Sequence, residues 1–507
     1  MLKNIQKTLF NSKVIKGTLI LTAAGFATRI IGFFFRIFLT GKIGAEGLGI
    51  YQLIFPIQVI CYSICTIGFE TAISKLTASS LQSKNAQALR YLKCGLILSL
   101  ITSFIISFFV FSNSEYLSSR ILLEPRCNNM IKVMAFSIPL ASIHSCICGY
   151  YLGRKKTDIP AVSQLIEQLA RVISIILIIT YLERINVEIT PIIAVFGSAV
   201  GEIISVSFCL LHVRKVLFSK KNIHLKYREF KTLSSSILSL SVPITLNRLM
   251  LSILQSIQSI LIPNMLILYG YSPAKALGIY GILLGLVLPL ILFPGAFVNS
   301  LSLLLLPTIS EAESIHNTNK IKLTTEKTFD FCCLFGIFCA AIFIRFGNEI
   351  GIFLLSNNEA GTYISLLGIL CPFIYITSTL ASIINGLGHT TTTFVFNIIS
   401  TLIQIVSIVF IMPEYGIMGY IGGFLLSNIL SAICLFIYAK RLIHIKLNIC
   451  PVIIYPSLVM FILIRIMDLF IPKIFTGMTL ISVLVSFFII TILYCMIFKK
   501  IIKNTIR

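Results

Sequence analysis

The sequence predicts an all-α integral membrane protein with about 14 transmembrane helices, arranged as two parallel six-helix lobes followed by two C-terminal helices. Three observations carry this. Of 507 residues, 57% are hydrophobic and only 12% charged, with a mean hydropathy of +0.97. Soluble domains carry about 25% charge, so a soluble globule and a disordered chain are both excluded. Apolar runs of membrane-crossing length, about 20 residues, recur along nearly the whole chain. Finally, landmarks in the first half return in the second at a nearly constant offset.

The apolar runs lie near 17–40, 49–74, 92–112, 130–153, 161–182, 190–213, 235–268, 276–306, 329–346, 361–386, 391–412, 416–438, 451–470 and 474–498. Lys3, Lys7, Lys13 and Lys16 precede the first run in the manner of a signal peptide. Its apolar character resumes after Arg29 and continues to Leu39, which argues for a retained span.

Placement of basic residues orients the spans. With the N-terminus in the cytoplasm and basic residues toward span ends (Lys93, Lys132, Arg345, Arg465) counted with the adjoining loop, the inside carries 28 of the 41 Lys and Arg residues and the outside 9, while Arg29, Arg36, Arg171 and Arg248 are assigned to the spans themselves. Lys and Arg favour cytoplasmic loops, where they fix topology and meet anionic lipid headgroups. Both termini are therefore expected in the cytoplasm. The formal charge of +23 is read this way and not as a nucleic-acid footprint.

Ala72-Ile73-Ser74 closes the second span and Thr308-Ile309-Ser310 the eighth, 236 residues later. Pro139 recurs as Pro372, and Gly153 as Gly388, at offsets of 233 and 235. Six spans per half put both halves in the same orientation, as parallel repeats about an axis along the membrane normal. The expected organisation is an N-lobe at 1–213, a basic cytoplasmic linker at 214–234, a C-lobe at 235–445, and a two-helix addition at 446–507. Rocking of such halves would open a central cleft to each side in turn.

Charged residues inside the membrane are costly, about 2.5–3.5 kcal/mol for a central arginine, and mark bundle interiors or wet cavities. Arg29 and Arg36 lie in the first span and Arg248 in the seventh, the equivalent helix of the second half. Arg248 and Gln255 are seven residues apart and share a helix face, Asn247 adjoins Arg248, and Pro243 upstream can kink the helix. Gly281, Gly285, Pro289, Pro294 and Gly295 break the eighth span, which fits a cavity wall. Arg171 follows Glu167 by four residues, the spacing of an ion pair along one helix. Glu70 and Glu202 are the other carboxylates at depth, and Glu70 can pair with a cavity arginine. The excess of arginine favours an anionic substrate, because the planar guanidinium binds two phosphate oxygens at once.

Enzyme signatures are lacking: there is no Walker A stretch, HExxH or GxSxG. Of the 14 cysteines, Cys61, Cys65, Cys146, Cys148, Cys209, Cys339, Cys371 and Cys434 lie in apolar stretches without partner histidine clusters, Cys146-x-Cys148 and Cys332-Cys333 lack zinc-ligand spacing, and they read as small core hydrophobes. His144 reads as a packed or hydrogen-bonded helix residue. No cofactor or metal is expected.

The runs Leu21 to Phe33, Ile43 to Leu53, Ala72 to Leu76, Val242 to Arg248, Leu288 to Pro294, Leu306 to Ala312 and Ile383 to Gly388 resemble the stage V sporulation protein B-like polysaccharide exporters over nearly the whole chain. The resemblance implies the multidrug/oligosaccharidyl-lipid/polysaccharide exporter superfamily and a MATE/MurJ-like two-lobed, alternating-access fold. In the related MurJ lipid II flippases the first span carries Ser-Arg followed by two hydrophobic residues and Gly-Phe. Thr28 to Phe33 match that core, so the cavity arginine carries over to Arg29. The next MurJ cavity arginine falls at Phe35, which places Arg36 about 100° around the helix from it. No residue from Tyr280 to Leu292 matches the eighth-span arginine of MurJ.

What the resemblance implies is a flippase for a lipid-linked oligosaccharide. The implied cargo is lipid II, an undecaprenyl pyrophosphate bearing a disaccharide-peptide, used in spore-cortex synthesis. Arg29 and Arg248 would grip the pyrophosphate, with Arg36, Asn247, Gln255 and Glu70 completing the lining. Implied partners are that lipid, anionic lipids at the cytoplasmic loops, and a cortex glycosyltransferase or transpeptidase. Two other readings stay open. One is a MATE-type cation/drug antiporter working through Glu70 or Glu202. The other is a non-transporting scaffold for cortex enzymes that acts through 214–234.

Overall fold

The structure, a computed structural model, describes residues 13–80, 85–217, 227–444, 450–474 and 480–506. All the regular structure among them is helical. The apolar runs become helices because a backbone in hydrocarbon must satisfy its own hydrogen bonds. In chain order they are α1 (Lys13–Gln52), α2 (Phe55–Ser80), α3 (Asn85–Ser112), α4 (Asn128–Gly153), α5 (Asp158–Arg184), α6 (Ile192–Leu217) and α7 (Tyr227–Leu268). There follow α8 (Pro273–Leu292), α9 (Gly295–Ser314), α10 (Thr318–Leu355), α11 (Asn358–Leu367), α12 (Leu370–Gly386), α13 (Thr390–Phe410), α14 (Ile417–Ile443), α15 (Tyr455–Ile474) and α16 (Leu480–Ile506). Among the described residues, twelve helices are long and apolar enough to cross a membrane, and the pair α11–α12, bent by 51°, makes a thirteenth if taken as one span.

Three spans differ from the sequence expectation. The first does not end near residue 40. At Gly44, φ is 74° and ψ 174°, a conformation glycine tolerates, and the chain turns there into a short helical stretch that ends at Gln52. Leu48, Ile50, Leu53 and Ile54 are buried, so a stretch expected partly as loop is core. The eighth span is two helices, α8 and α9, separated at Phe293-Pro294, with a π turn at Leu283–Val287. The tenth breaks between α11 and α12. The segment 214–234 is described only at its two ends; residues 218–226 lie outside the described residues.

By packing, the chain groups into two units, Met1–Pro263 with Pro273–Gly281, and Asn264–Ser272 with Ile282–Arg507. Most of α7 thus packs with the first unit, whereas the repeat reading starts the second lobe at 235.

In the first unit α4 is the central helix, with α2, α3 and α6 packed around it. Phe69, Ile73, Leu92, Ile147, Tyr150, Val213 and Ile237 meet there in one cluster. α1 packs along α5. The seam of α7 against α2 is made of small residues. Ser63 and Ser252 share a hydrogen bond of 2.8 Å, Ser256 Oγ donates to Pro56 O at 3.0 Å, and a Cβ on Gly68 would lie within 2.9 Å of Ser241 O. On α3 the polarity is inverted relative to a soluble helix. Ser99 and Ser103 are buried, whereas Ile101, Phe104, Ile105 and Phe108 are exposed, the pattern of a helix solvated by lipid.

In the second unit α10 packs on α11 and α12, and α12 also packs on α9 and α14. The C-terminal helices lie against α10: Tyr494 Oη donates to Leu334 O at 3.0 Å, and Arg345 pairs with Asp468 at 2.7 Å and Glu349 at 2.8 Å.

The repeated landmarks are contacts inside each unit. A Cβ on Gly153 would lie 2.5 Å from Ser74 O, and one on Gly386 would lie 3.0 Å from Leu306 O, where Ser310 Oγ donates to Gly386 O at 2.8 Å. The packing equivalent of Gly153 is therefore Gly386, at the same 233-residue offset as Pro139 and Pro372. Gly388, with φ of 89°, corresponds to Lys155, with φ of 58°, and both end their helix in the left-handed region.

Ion pairs join helix ends that the alternating assignment puts on one side: Lys42 with Glu183 at 2.6 Å, Glu46 with Arg126 at 2.7 Å, and Arg90 with Glu229 at 3.3 Å.

Candidate functional site

The sequence-derived candidates all lie on the first unit, and they separate into two groups. Arg29 is exposed on α1, one position beyond Thr28, whose hydroxyl donates to Gly25 O at 3.0 Å. Arg248, Asn247 and Gln255 are exposed on α7. Arg248 stands at the middle of this 42-residue helix, about 30 Å from either end at 1.5 Å per residue. On a helical wheel Arg248 and Gln255 flank the seam formed by Ser241, Thr245, Ser252 and Ser256, lying roughly 50–70° from its centre. The seam carries small residues because α2 approaches closely there. The arginine is thereby carried at the seam's edge, at helix mid-height.

Arg36 and Glu70 are half-buried and face inward. Arg36 lies within electrostatic reach of Tyr51 and Arg171. Glu70 accepts a hydrogen bond from Ser145 Oγ at 3.4 Å, and Ser145 also donates to Thr66 O at 3.1 Å. The partner of Glu70 is thus a serine of α4 and not the cavity arginine expected from sequence.

Beside Arg36 and Glu70 the structure places a polar cluster that sequence reasoning did not assemble. Arg171 and Glu167 form the expected pair along α5, at 2.5 Å, with Gln168 Oε1 3.3 Å from Arg171 Nη1. Next to this pair His144 of α4 meets Ser163 of α5 at 3.0 Å, Ser205 of α6 at 3.1 Å and Glu202 of α6 at 3.7 Å. Arg171 also borders a cavity of about 40 Å³ lined by Tyr51, Gln58, Ser137 and Ser198, room for a water or two. The sequence did hold a signal. Ser163, Glu167 and Arg171 recur every four residues, and Ser198, Glu202, Ser205 and Cys209 follow at 4, 7 and 11, so each set is a polar stripe on one helix face. What the sequence could not give is that these stripes face one another.

The description of cysteines as lacking histidine neighbours is corrected for two of them. His144, Cys148 and Cys209 bring one ligand atom each to within 4.8 Å of one another, because α4 and α6 pack side by side. The expectation for His144 as a hydrogen-bonded helix residue agrees with its contacts to Ser163 and Ser205.

With this geometry in hand, comparison with known proteins is decisive at the level of family. The family described as polysaccharide biosynthesis protein matches residues 14–313, which is more than half the chain. The chain belongs to this family. Among its relatives is stage V sporulation protein B of Bacillus subtilis (strain 168), 25% identical over 433 residues, covering 82% of each chain. Among solved structures, lipid II flippase MurJ in an inward closed conformation superposes with a TM-score of 0.71 over 96% of this chain and all of that one, at 16% identity. An inward-facing multidrug resistance MATE family transporter of the MOP superfamily superposes with a TM-score of 0.63 over 84% of this chain and 98% of that one, at 14% identity. The fold is therefore the MATE/MurJ fold. This member of the polysaccharide biosynthesis family is a multi-pass membrane protein with the fold of a lipid II flippase and of a multidrug transporter.

Proposed function

We propose that this chain is a flippase for a lipid-linked oligosaccharide, moving a lipid II-type peptidoglycan precursor by alternating access for spore-cortex synthesis, with both termini in the cytoplasm. The observation that carries the reading is Arg248, a fixed positive charge exposed at the mid-height of a 42-residue helix. Arg29, exposed on α1, adds a second. Arginine at such a depth is expensive in hydrocarbon and is retained where it meets water or an anion. The undecaprenyl tail stays in lipid throughout. Only the pyrophosphate and its sugar must cross, and guanidinium groups lower that barrier by charge-assisted hydrogen bonds. Membership of the polysaccharide biosynthesis family and likeness to a lipid II flippase support the cargo class. Anionic lipids at the basic loops and a cortex glycosyltransferase or transpeptidase are the partners this role implies.

The test is transport of fluorescent lipid II in proteoliposomes. Each charge-assisted bond contributes about 1.5–3 kcal/mol, so Arg29→Gln and Arg248→Gln should each slow transport about tenfold or more. Parent-like rates in the double variant would remove the binding model. A cation-driven antiport reading is favoured by one observation, the burial of Glu202 beside His144. It predicts drug efflux that requires an imposed ion gradient and fails in Glu202→Gln.

A further inference from the structure

Nothing in the transport reading uses the sulfur-bearing half of the buried cluster. Cys148 follows His144 by one helical turn on α4, so both side chains leave the same face. Cys209 meets them from α6, and the imidazole nitrogen and two sulfurs lie within 4.8 Å of one another. We propose that His144, Cys148 and Cys209 form a binding site for a thiophilic divalent cation of the zinc class, which ties α4 to α6 inside the first unit.

The donor set selects the ion. Two sulfurs and one imidazole suit a borderline-soft, tetrahedral cation and not Mg2+ or Ca2+, which take oxygen. Ser163 Oγ lies 3.0 Å from His144 Nε2 and 3.7 Å from Cys148 Sγ, where it can serve as the fourth donor. Both cysteines are buried and free, with relative exposures of 8% and 0%. On binding, each thiol gives up its proton to solvent, so the two thiolates balance the dication and the ligand set stays neutral.

A second observation points to the same ion. Glu202 is 7% exposed, and its Oε2 is buried without a hydrogen-bond partner. This oxygen lies 3.7 Å from His144 Nδ1. A histidine that ligates a metal through one ring nitrogen commonly presents the other N–H to a carboxylate, which fixes the tautomer and orients the ring. Metal at Nε2 places the proton on Nδ1, opposite Glu202, and provides the partner that Oε2 otherwise lacks. Glu167, with its oxygen also within 4.8 Å of the ring nitrogen and of Glu202, is occupied by Arg171. Glu202 is thus the positioning carboxylate, while Glu167 is held by its ion pair.

The test uses the full-length protein in detergent, stripped with a chelator and titrated with Co2+. One equivalent should bind, with a thiolate-to-cobalt charge-transfer band in the near ultraviolet and the visible absorption of a tetrahedral site, both bleached by Zn2+. The band should vanish in Cys148→Ser and in Cys209→Ser and persist in Cys61→Ser. Glu202→Gln should weaken Co2+ affinity about 10- to 100-fold. A parent protein with no thiolate band overturns the proposal, and that measurement needs no variant to fold. A band that survives in both Cys148→Ser and Cys209→Ser overturns it as well, since other cysteines would then be the ligands. The readout is optical and independent of lipid transport, so its failure and a failure of the flippase reading are separate results.

Discussion

Breaking the Glu167–Arg171 pair should cost more from one side than from the other. The two side chains are 18% and 24% exposed, and the pair sits on α5 beside the polar cavity. Removing one member of a buried pair costs about 3–5 kcal/mol when the remaining charge has no compensation. Partial exposure discounts this to about 2 kcal/mol here. The neighbours set the asymmetry. In Glu167→Gln, Arg171 keeps Gln168 Oε1 at 3.3 Å and the Glu202 carboxylate within electrostatic reach, against the like-charged Arg36. In Arg171→Met, Glu167 is left beside the like-charged Glu202, with the His144 ring shared between the two carboxylates. Arg171→Met should therefore be the more destabilising change, and the double variant should be milder than the sum of the singles. The chain has no tryptophan, and most of its described cysteines are buried. Unfolding is thus best followed with a thiol-reactive fluorophore at fixed scan rate. If the two Tm shifts add to that of the double variant, the pair is uncoupled and the reasoning fails. If Glu167→Gln is the worse single change, the charge-balance argument fails.

Two further outcomes follow from packing and from titration. Gly281→Ala should destabilise the first unit by about 1–3 kcal/mol, because the new Cβ would lie 2.5 Å from both Ala45 O and Gly49 N, backbone atoms that cannot rotate away. Gly25→Ala, with nothing within 4 Å, should be neutral or stabilising by up to about 1 kcal/mol; equal thermal shifts for the two variants would refute the contact. Burial works against ionisation of Glu124, but its hydrogen bonds and ion pair with Arg126 outweigh this and hold the carboxyl below its ordinary value. The stabilisation is then complete above the unfolded value, about 4.3, and is lost as pH falls through the lower folded value. The protection factors of amides in 117–127, taken relative to the intrinsic exchange rate at each pH, should fall on acidification below about pH 4 in the parent. In Glu124→Gln they should be lower and pH-independent over that range, and a parent-like acid response in this variant would discard the assignment.

Composition and spacing alone settled a good deal. Low charge and recurrent apolar runs dictate helices, since a lipid-solvated backbone has no other way to satisfy its hydrogen bonds. The near-constant offset of the Ala-Ile-Ser and Thr-Ile-Ser ends, and of Pro139 and Pro372, revealed the duplication, because a packing contact needed once in each repeat keeps its small residues in register. Arg29 and Arg248 were visible as charges in apolar surroundings, a cost that any reading must explain. Periodicity along one helix also gave the Glu167–Arg171 pair, whose partners are neighbours on the same element. The tertiary structure decided everything that depends on which face meets which. It gave Glu70 a serine partner, turned the stretch after Gly44 into buried helix, and split the eighth span at Phe293-Pro294. Above all it brought His144, Cys148, Glu167, Glu202 and Cys209 together from α4, α5 and α6. Those residues are up to 65 positions apart in the chain. No one helix shows the grouping, and only the packing angle and rotation of three helices, set by side-chain fit across the bundle, make them a cluster.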